Sequence, residues 1–440
     1  MNRTGPALDP AASGIVYPED RLPWSQTLAA GFQHVIAMFG GTVLGPLLMG
    51  FDTNVALLFS GIATLIFYGL LQGRIPSYLG SSFSFIGAVI AVTGWTPQST
   101  GLNPHIDAAL SGIIAAGALY AAIGLLVMAT GTAWIERLLP PVLTGTIVAI
   151  IGLNLAPVSV GDIGKTPFDQ LIGLLTLLLI AVLAVYFPPG SVRRRMSILI
   201  GIVIAYVVYY LLANLGLAHA IGLMPGARIS FDAVRDAAWF GLPRFTTPSF
   251  STTSVTLIAP IAIVLVAENL GHIKAIGGML QRDGVFNGLI GRAFLADGVA
   301  TMVSAACGGT GVTTYAENMG VMRVTGNFAS RTFAAAAGFA ILFGLSPKLG
   351  ALIHTIPLPV LGGLSFVIFG IITAVGAGIW VQNGVSFTRS RNLITVGSAL
   401  VAGSANLTIT LGGLSFGGIA TATFLAIGVY HLLGLVEREA

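Results

Sequence analysis

The stretch Gly308-Gly309-Thr310-Gly311-Val312-Thr313-Thr314-Tyr315-Ala316-Glu317-Asn318-Met319-Gly320 lies between an apolar run ending near Ala306 and another beginning near Ala329. Its position calls for a membrane span, yet its composition argues against a regular one. Three glycines fall within four residues, Val-Thr-Thr-Tyr favours an extended strand, and a carboxylate follows. Facing lipid, such a backbone would leave N–H and C=O groups unpaired in hydrocarbon. It is therefore expected to be buried in protein and to line a cavity. An ionisable residue at that depth marks a candidate functional site. The rest of the chain reads as scaffolding around Glu317.

Composition sets the frame. The 440 residues are 55% apolar and 8% charged, against roughly 25% charged in soluble domains. Mean hydropathy is +0.91, which argues against a soluble fold. The first 24 residues are polar and include Asp9, Glu19 and Asp20, so no cleavable leader is expected. The net charge of +4 comes from scattered basic residues and does not form a nucleic-acid patch. Cys307, the single cysteine, allows no internal disulfide or multi-cysteine metal site and reads as a packing residue.

Spans need roughly 17–25 mostly apolar residues each. They are expected at 27–44, 53–71, 76–93, 108–130, 135–155, 169–187, 196–214, 254–275, 286–304, 308–325, 328–345, 351–376, 391–408 and 413–433. Between 214 and 253 lies the long loop, expected to hold a short interfacial helix ending before Gly241 and Pro243. The distribution of positive charge tests the count of fourteen. With both termini cytoplasmic, fifteen of the 20 basic residues fall on that side, the Arg193–Arg195 run among them. Short outer loops receive only Lys165 and Lys348. One span more or fewer would scramble that split.

The second half echoes the first. Leu139-Pro140-Pro141-Val142-Leu143-Thr144-Gly145 has a partner in Pro357-Leu358-Pro359-Val360-Leu361-Gly362-Gly363, and His34 has one in His272. Seven spans per repeat is odd, so the halves enter the membrane in opposite directions, an arrangement that places substrate at mid-membrane between broken helices. The irregular tenth segment should then have a mate in the third. Ile75-Pro76-Ser77-Tyr78-Leu79-Gly80-Ser81-Ser82-Phe83-Ser84-Phe85-Ile86-Gly87 fits that place. The expected fold is all-α and membrane-integral, with segments 3 and 10 each a short β-strand plus a half-helix. The two strands are expected to pair, and the half-helix N-termini to point partial positive charge inward. A planar polar ligand fits such a site; kinked packing helices without a ligand are the alternative.

Beside it stands Glu268-Asn269-Leu270-Gly271-His272, whose Glu and His share one helix face at i, i+4. Buried charges are costly, so Glu268, Glu317 and His272 are expected to be paired or protonated, and are candidates for carrying a coupling proton. His272 also suits a purely packing role. Asp297, mid-span, suits either an ion pathway or a structural salt bridge or cap. His34 is expected to steady the third-segment strand or to touch ligand. Arg323 and Lys274 sit where snorkelling explains them.

Glu317-Asn318-Met319-Gly320, with Thr325-Gly326 following at the right spacing, resembles the signature of the nucleobase–ascorbate transporter family. Gln33-His34, Leu79-Gly80-Ser81-Ser82-Phe83, Ala267–His272 and Gly291-Arg292-Ala293-Phe294 extend the resemblance over essentially the whole chain, and it is greatest to bacterial uracil permeases. The resemblance implies a core domain from 1–132 and 254–346 and a gate domain from 133–214 and 347–440. Residues 215–253 are then an extracytoplasmic loop. It implies that Glu268 and Glu317 bind a pyrimidine, with Phe83, Ala316 and Tyr315 alongside. His272, with Glu268, would couple a proton, and His34, Asn318, Ser82 and Asp297 would support the site. No metal or organic cofactor is implied. It further implies a homodimer through the gate domains, an elevator-like core movement, and import through the inner membrane. Thr310-Gly311-Val312, where some relatives carry Pro or Asn, and Gly326 for the commoner Arg leave the base open. A purine or xanthine carrier, and a small-solute or anion channel, are the alternatives; an intramembrane enzyme has no nucleophile–base pair to support it.

Overall fold

The structure, a computed structural model, describes residues 15–95, 101–188, 196–282, 284–411 and 414–436. The Arg193–Arg195 run, Arg3 and Arg438 lie outside the described residues, as does Asp9. The first half runs α1 (Trp24–Met49), α2 (Thr53–Leu70), β1 (Leu79–Ser81), α3 (Ile86–Thr93), α4 (Ile106–Thr130), α5 (Ala133–Leu138), α6 (Pro141–Ile163), α7 (Pro167–Tyr186) and α8 (Ser197–Ala213). In the long loop, α9 (Asp232–Asp236) is the short helix expected before Gly241. The second half runs α10 (Thr252–Ile258), α11 (Ile261–Met279), α12 (Ile290–Ala306), β2 (Val312–Thr314), α13 (Ala316–Thr325), α14 (Ser330–Gly344), α15 (Pro347–Ile353), α16 (Leu358–Gln382) and α17 (Ser390–Ser404). It closes with β3 (Ile409–Leu411), β4 (Leu414–Phe416) and α18 (Gly418–Val436).

Among the described residues nine helices are long and apolar enough to cross a membrane, with α10 and α11 taken together as one. The pair α14 and α15 passes the same test but bends by 83° at Leu345–Ser346. Two boundaries differ from the sequence reading, and proline explains both. The fifth segment, expected at 135–155, breaks after α5 and restarts at Pro141, and the twelfth, expected at 351–376, starts at Leu358 and runs to Gln382. Proline lacks an N–H, which the first helical turn does not need but a helix interior does. The echoed Pro-Pro and Pro-Leu-Pro motifs are therefore helix starts. Those two helices, α6 and α16, lie side by side, and Trp380 Nε1 donates to Val142 O at 3.1 Å.

The helices pack in two sets. In one, α4 lies on α12, and α14 packs against α1 and α2. In the other, α6 and α7 lie on α16, and α17 joins α6 to α18. Small residues let backbones approach where lipid offers no competing hydrophobic drive. On α4 and α12 the glycines meet in antiparallel order. A Cβ on Gly117 would sit 2.8 Å from Gly298 O, and one on Gly291 would sit 2.8 Å from Gly124 O. A half-exposed ion pair, Lys274 Nζ to Glu136 Oε1 at 3.2 Å, joins α11 to α5, so Lys274 has a partner where the sequence suggested only snorkelling.

Packed against α1, α2 and α12 of the first set, β1 and β2 pair antiparallel, with Leu79 opposite Thr314, Gly80 opposite Thr313 and Ser81 opposite Val312. Tyr315 N donates to Tyr78 O at 3.0 Å and Ser82 N to Gly311 O at 2.8 Å, extending the ladder at both ends. Strand edges inside a membrane protein need such partners, and side chains supply the rest. Thr64 Oγ1 accepts from Leu79 N at 2.9 Å, and Thr301 Oγ1 accepts from Val312 N at 3.2 Å. Glycine is required here by approach. A Cβ on Gly80 would lie 2.5 Å from the Tyr315 ring, and one on Gly311 would collide with Phe85.

Candidate functional site

Each strand hands over to a short helix. After β1, Ser82 caps a 3₁₀ turn at Phe83–Phe85 that runs into α3, and after β2, Tyr315 is the N-cap of α13 with no side-chain cap bond. Glu317 lies in the first turn of α13, where the helix dipole favours a negative group. The middle of α11 presents Glu268 and His272 on one face, as their spacing requires.

These pieces surround a cavity of about 430 Å³, within the range of small-ligand sites. Of the ten residues anticipated from sequence, six line it: Phe83, Glu268, His272, Tyr315, Ala316 and Glu317. Ser82, His34, Asn318 and Asp297 stand behind that lining. The opposite wall is mostly apolar, formed by Val148 of α6, Ser197 and Ile198 of α8 and Ile371, Ile372 and Val375 of α16. One side carries most of the hydrogen-bonding groups and the other mostly aliphatic side chains.

The supporting bonds are specific. His272 Nδ1 lies 2.9 Å from Thr314 Oγ1, at the end of β2. Thr314 Oγ1 also reaches Asn269 Oδ1 at 3.3 Å, and Asn269 Nδ2 donates to Asp297 Oδ2 at 2.6 Å and to the Tyr120 hydroxyl at 2.7 Å. Asp297 therefore sits buried in an amide and hydroxyl network behind the cavity, and the cationic partner foreseen for it is not among the described residues. His34 has its hydrogen bonds with the other broken segment. Asn318 Nδ2 donates to His34 O at 3.1 Å and lies 3.0 Å from its Nδ1, and the imidazole packs on Phe333. Tyr315 OH donates to Ser81 O at 2.9 Å and receives a bond from Thr42 Oγ1 at 3.3 Å, which fixes its ring over Gly80.

Glu268 Oε2 and Asn318 Oδ1 have no hydrogen-bond partner among the described residues. Buried acceptors normally find one, so Glu268 has capacity for a donor in the cavity. The chemistry available is the binding of a polar group bearing N–H donors, with strand-end and helix-start backbone nearby.

Residues 25–412 match the xanthine–uracil permease family, described as a permease family. The chain belongs to the nucleobase–ascorbate transporter family. As a member of that family it is a multi-pass membrane permease and not an enzyme. It is 52% identical over 421 residues to RutG of Escherichia coli (strain K12), provisionally named a pyrimidine permease, covering 96% of this chain and 92% of that one. It is 38% identical over 432 residues to a uracil permease of Paenibacillus larvae, covering 96% of each. With the uracil permease of E. coli K12 the identity is 34% over 435 residues, covering 96% of this chain and 95% of that one.

Solved structures of other transporters share the fold. The murine anion transporter Slc26a9 in its inward-facing state superposes with a TM-score of 0.66 at 12% identity, covering 100% of this chain and 74% of that one. The transmembrane domain of the cyanobacterial bicarbonate transporter BicA gives 0.59 at 15% identity, covering 91% of this chain and 97% of that domain.

The sequence did not single out Thr314, Asn269, Tyr120 or Thr42 for these roles. Thr314 and Asn269 stood inside quoted motifs, so hydroxyl and amide groups next to buried carboxylates were the available signal. The apolar wall gave none, because Ile198 and Ile371 look like any lipid-facing residues.

Proposed function

We propose that this permease imports uracil, or a closely related pyrimidine nucleobase, across the inner membrane in symport with protons. The observation that carries the reading is the gathering of Glu268, His272 and Glu317 with the ends of both broken segments around one cavity. Uracil offers two N–H donors and two carbonyl acceptors on a flat ring. Glu268 and Glu317 accept the N–H bonds, and backbone N–H groups near Phe83 and Ala316 meet the carbonyls, with Tyr315 beside them. His272 and Glu268 carry the coupling proton, and no organic cofactor or metal takes part. His34, Asn318, Ser82 and Asp297 hold the frame. The names of the relatives, pyrimidine and uracil permeases, support the substrate class.

The same reading assigns 1–132 and 254–346 to a moving core and 133–214 and 347–440 to a gate, with 215–253 as an extracytoplasmic loop. The two packing sets, and a cavity lined by residues of both, support that division. Fourteen segments form two inverted repeats with both termini cytoplasmic, the gate domains pair two copies, and the core moves in the manner of an elevator. Protonation alters nucleobase affinity and, by linkage, nucleobase alters proton affinity, from which coupling follows.

Competition of labelled uracil by thymine, xanthine and uric acid tests the ligand. Displacement by uracil and thymine alone is expected; displacement by xanthine at equal concentration makes the chain a purine carrier. Uptake that does not saturate and survives a protonophore would instead fit a channel.

A further inference from the structure

A second cavity, of about 600 Å³, opens at the end of the molecule where the N-terminal segment lies. Arg21, Arg74, Arg282 and Arg331 line it, against two carboxylates, Glu19 and Asp20. Both carboxylates are occupied. Glu19 Oε1 holds Arg282 at 3.0 Å and Asp20 Oδ2 accepts from Tyr17 N at 2.8 Å. Among the described residues Arg74 reaches only the neutral Gln72, at 3.1 Å, and Arg21 and Arg331 have no ion pair. Among the described lining residues four arginines thus face two carboxylates around a hollow.

The cavity is also built. Its walls come from separate stretches of chain, and the N-terminal one is fastened in place. Val16 N donates to Gly326 O at 2.7 Å, Phe328 N to Val16 O at 2.8 Å, and the Arg282 guanidinium stacks 4.0 Å from the Tyr17 ring centre. Among the described residues three non-glycine residues have positive φ, and two of them are here. Gln72 lines the cavity and Gln281 precedes Arg282, both at φ 54. Each follows the C-cap of its helix, Leu71 for α2 and Leu280 for α11, and turns the chain into the cavity wall. Leu70 at the end of α2 and Val285 in the turn after α11 are exposed apolar residues, and Val285 lines the cavity.

We propose that this cavity binds a phosphate group, through Arg21 and Arg331 with Arg74 beside them. Arginine matches phosphate oxygens in a two-pronged geometry. The exposed apolar side chains of Leu70 and Val285 beside the arginines favour the headgroup of an anionic phospholipid; a soluble phosphate offers the same chemistry. The site lies apart from the Glu268–Glu317 cavity and shares no lining residue with it.

The test uses the purified full-length chain and the variant Arg21→Gln/Arg331→Gln. Native mass spectrometry and thermal melting are read with phosphatidylglycerol, with phosphatidylcholine and with millimolar inorganic phosphate. Retention of phosphatidylglycerol by the parent, weakened about tenfold in the variant as loss of charge-assisted bonds requires, supports a lipid site. A melting shift with inorganic phosphate alone, lost in the variant, supports the site with a soluble ligand. Equal binding of phosphatidylglycerol and phosphatidylcholine, or no difference between parent and variant, overturns it. Size-exclusion elution unchanged from the parent guards against misfolding, and Arg331→Gln alone is measured in the same way should the double variant fail.

Discussion

His272 of α11 and Thr314 of β2 lie 2.9 Å apart, joining the helix that carries Glu268 to the strand that leads into Glu317. Thr314→Val keeps the shape and removes the hydroxyl. It leaves His272 Nδ1 and Asn269 Oδ1 each short of a partner, at a cost of roughly 1–3 kcal/mol. A lower melting temperature and reduced accumulation of uracil are expected, with Thr314→Ser restoring both. A Val variant as stable and active as the parent would remove this bond from the account.

His272→Ala removes one of the two groups assigned to proton coupling while leaving Glu268 and Glu317 in place. Accumulation driven by a pH gradient should fall further than equilibrium uracil binding does. Parallel uptake and binding assays separate the two, and normal accumulation by the variant contradicts the assignment.

Asn318 fastens α13 to α1 through His34 O and Nδ1. Asn318→Ala strips partners from buried groups and should destabilise the protein by roughly 1–3 kcal/mol. Thermal melting in detergent reads it. Because the amide stands behind the cavity lining, nucleobase affinity should change less than it does in Glu268 or Glu317 variants.

Gly80→Ala tests the strand pair. The new Cβ would fall 2.5 Å from the Tyr315 ring, which is held by Ser81 O and Thr42. Displacing that ring shifts the start of α13, so uracil binding should be lost together with stability. A second change, Tyr315→Ala in the Gly80→Ala background, relieves the collision and should recover melting temperature without recovering binding. Unaltered binding by Gly80→Ala would show that the ring does not position the site.

Much of this arrangement was legible in the chain. The glycines and Val-Thr-Thr-Tyr of 308–315, and the serines and proline of 75–87, contrast with their apolar flanks, because backbone that leaves the helix at mid-membrane needs different residues. The register of Leu79 with Thr314 could not be read, since 235 positions separate them and no periodicity links them. The network through Asn269, Asp297 and Tyr120 was hidden for the same reason. The Pro140-Pro141 and Pro357 motifs were visible as echoes, but their meaning as helix starts emerged only with the bend between α14 and α15 and the separate helix α5. The apolar wall of Val148, Ile198 and Val375 was indistinguishable from lipid-facing surface, because both favour the same side chains.

Equilibrium binding of radiolabelled uracil to the purified parent and to Glu317→Gln tests the central claim most directly. The account predicts saturable binding by the parent that is abolished in the variant, or turned toward purines, while the two proteins elute alike on size exclusion. Unchanged uracil affinity in Glu317→Gln would contradict it.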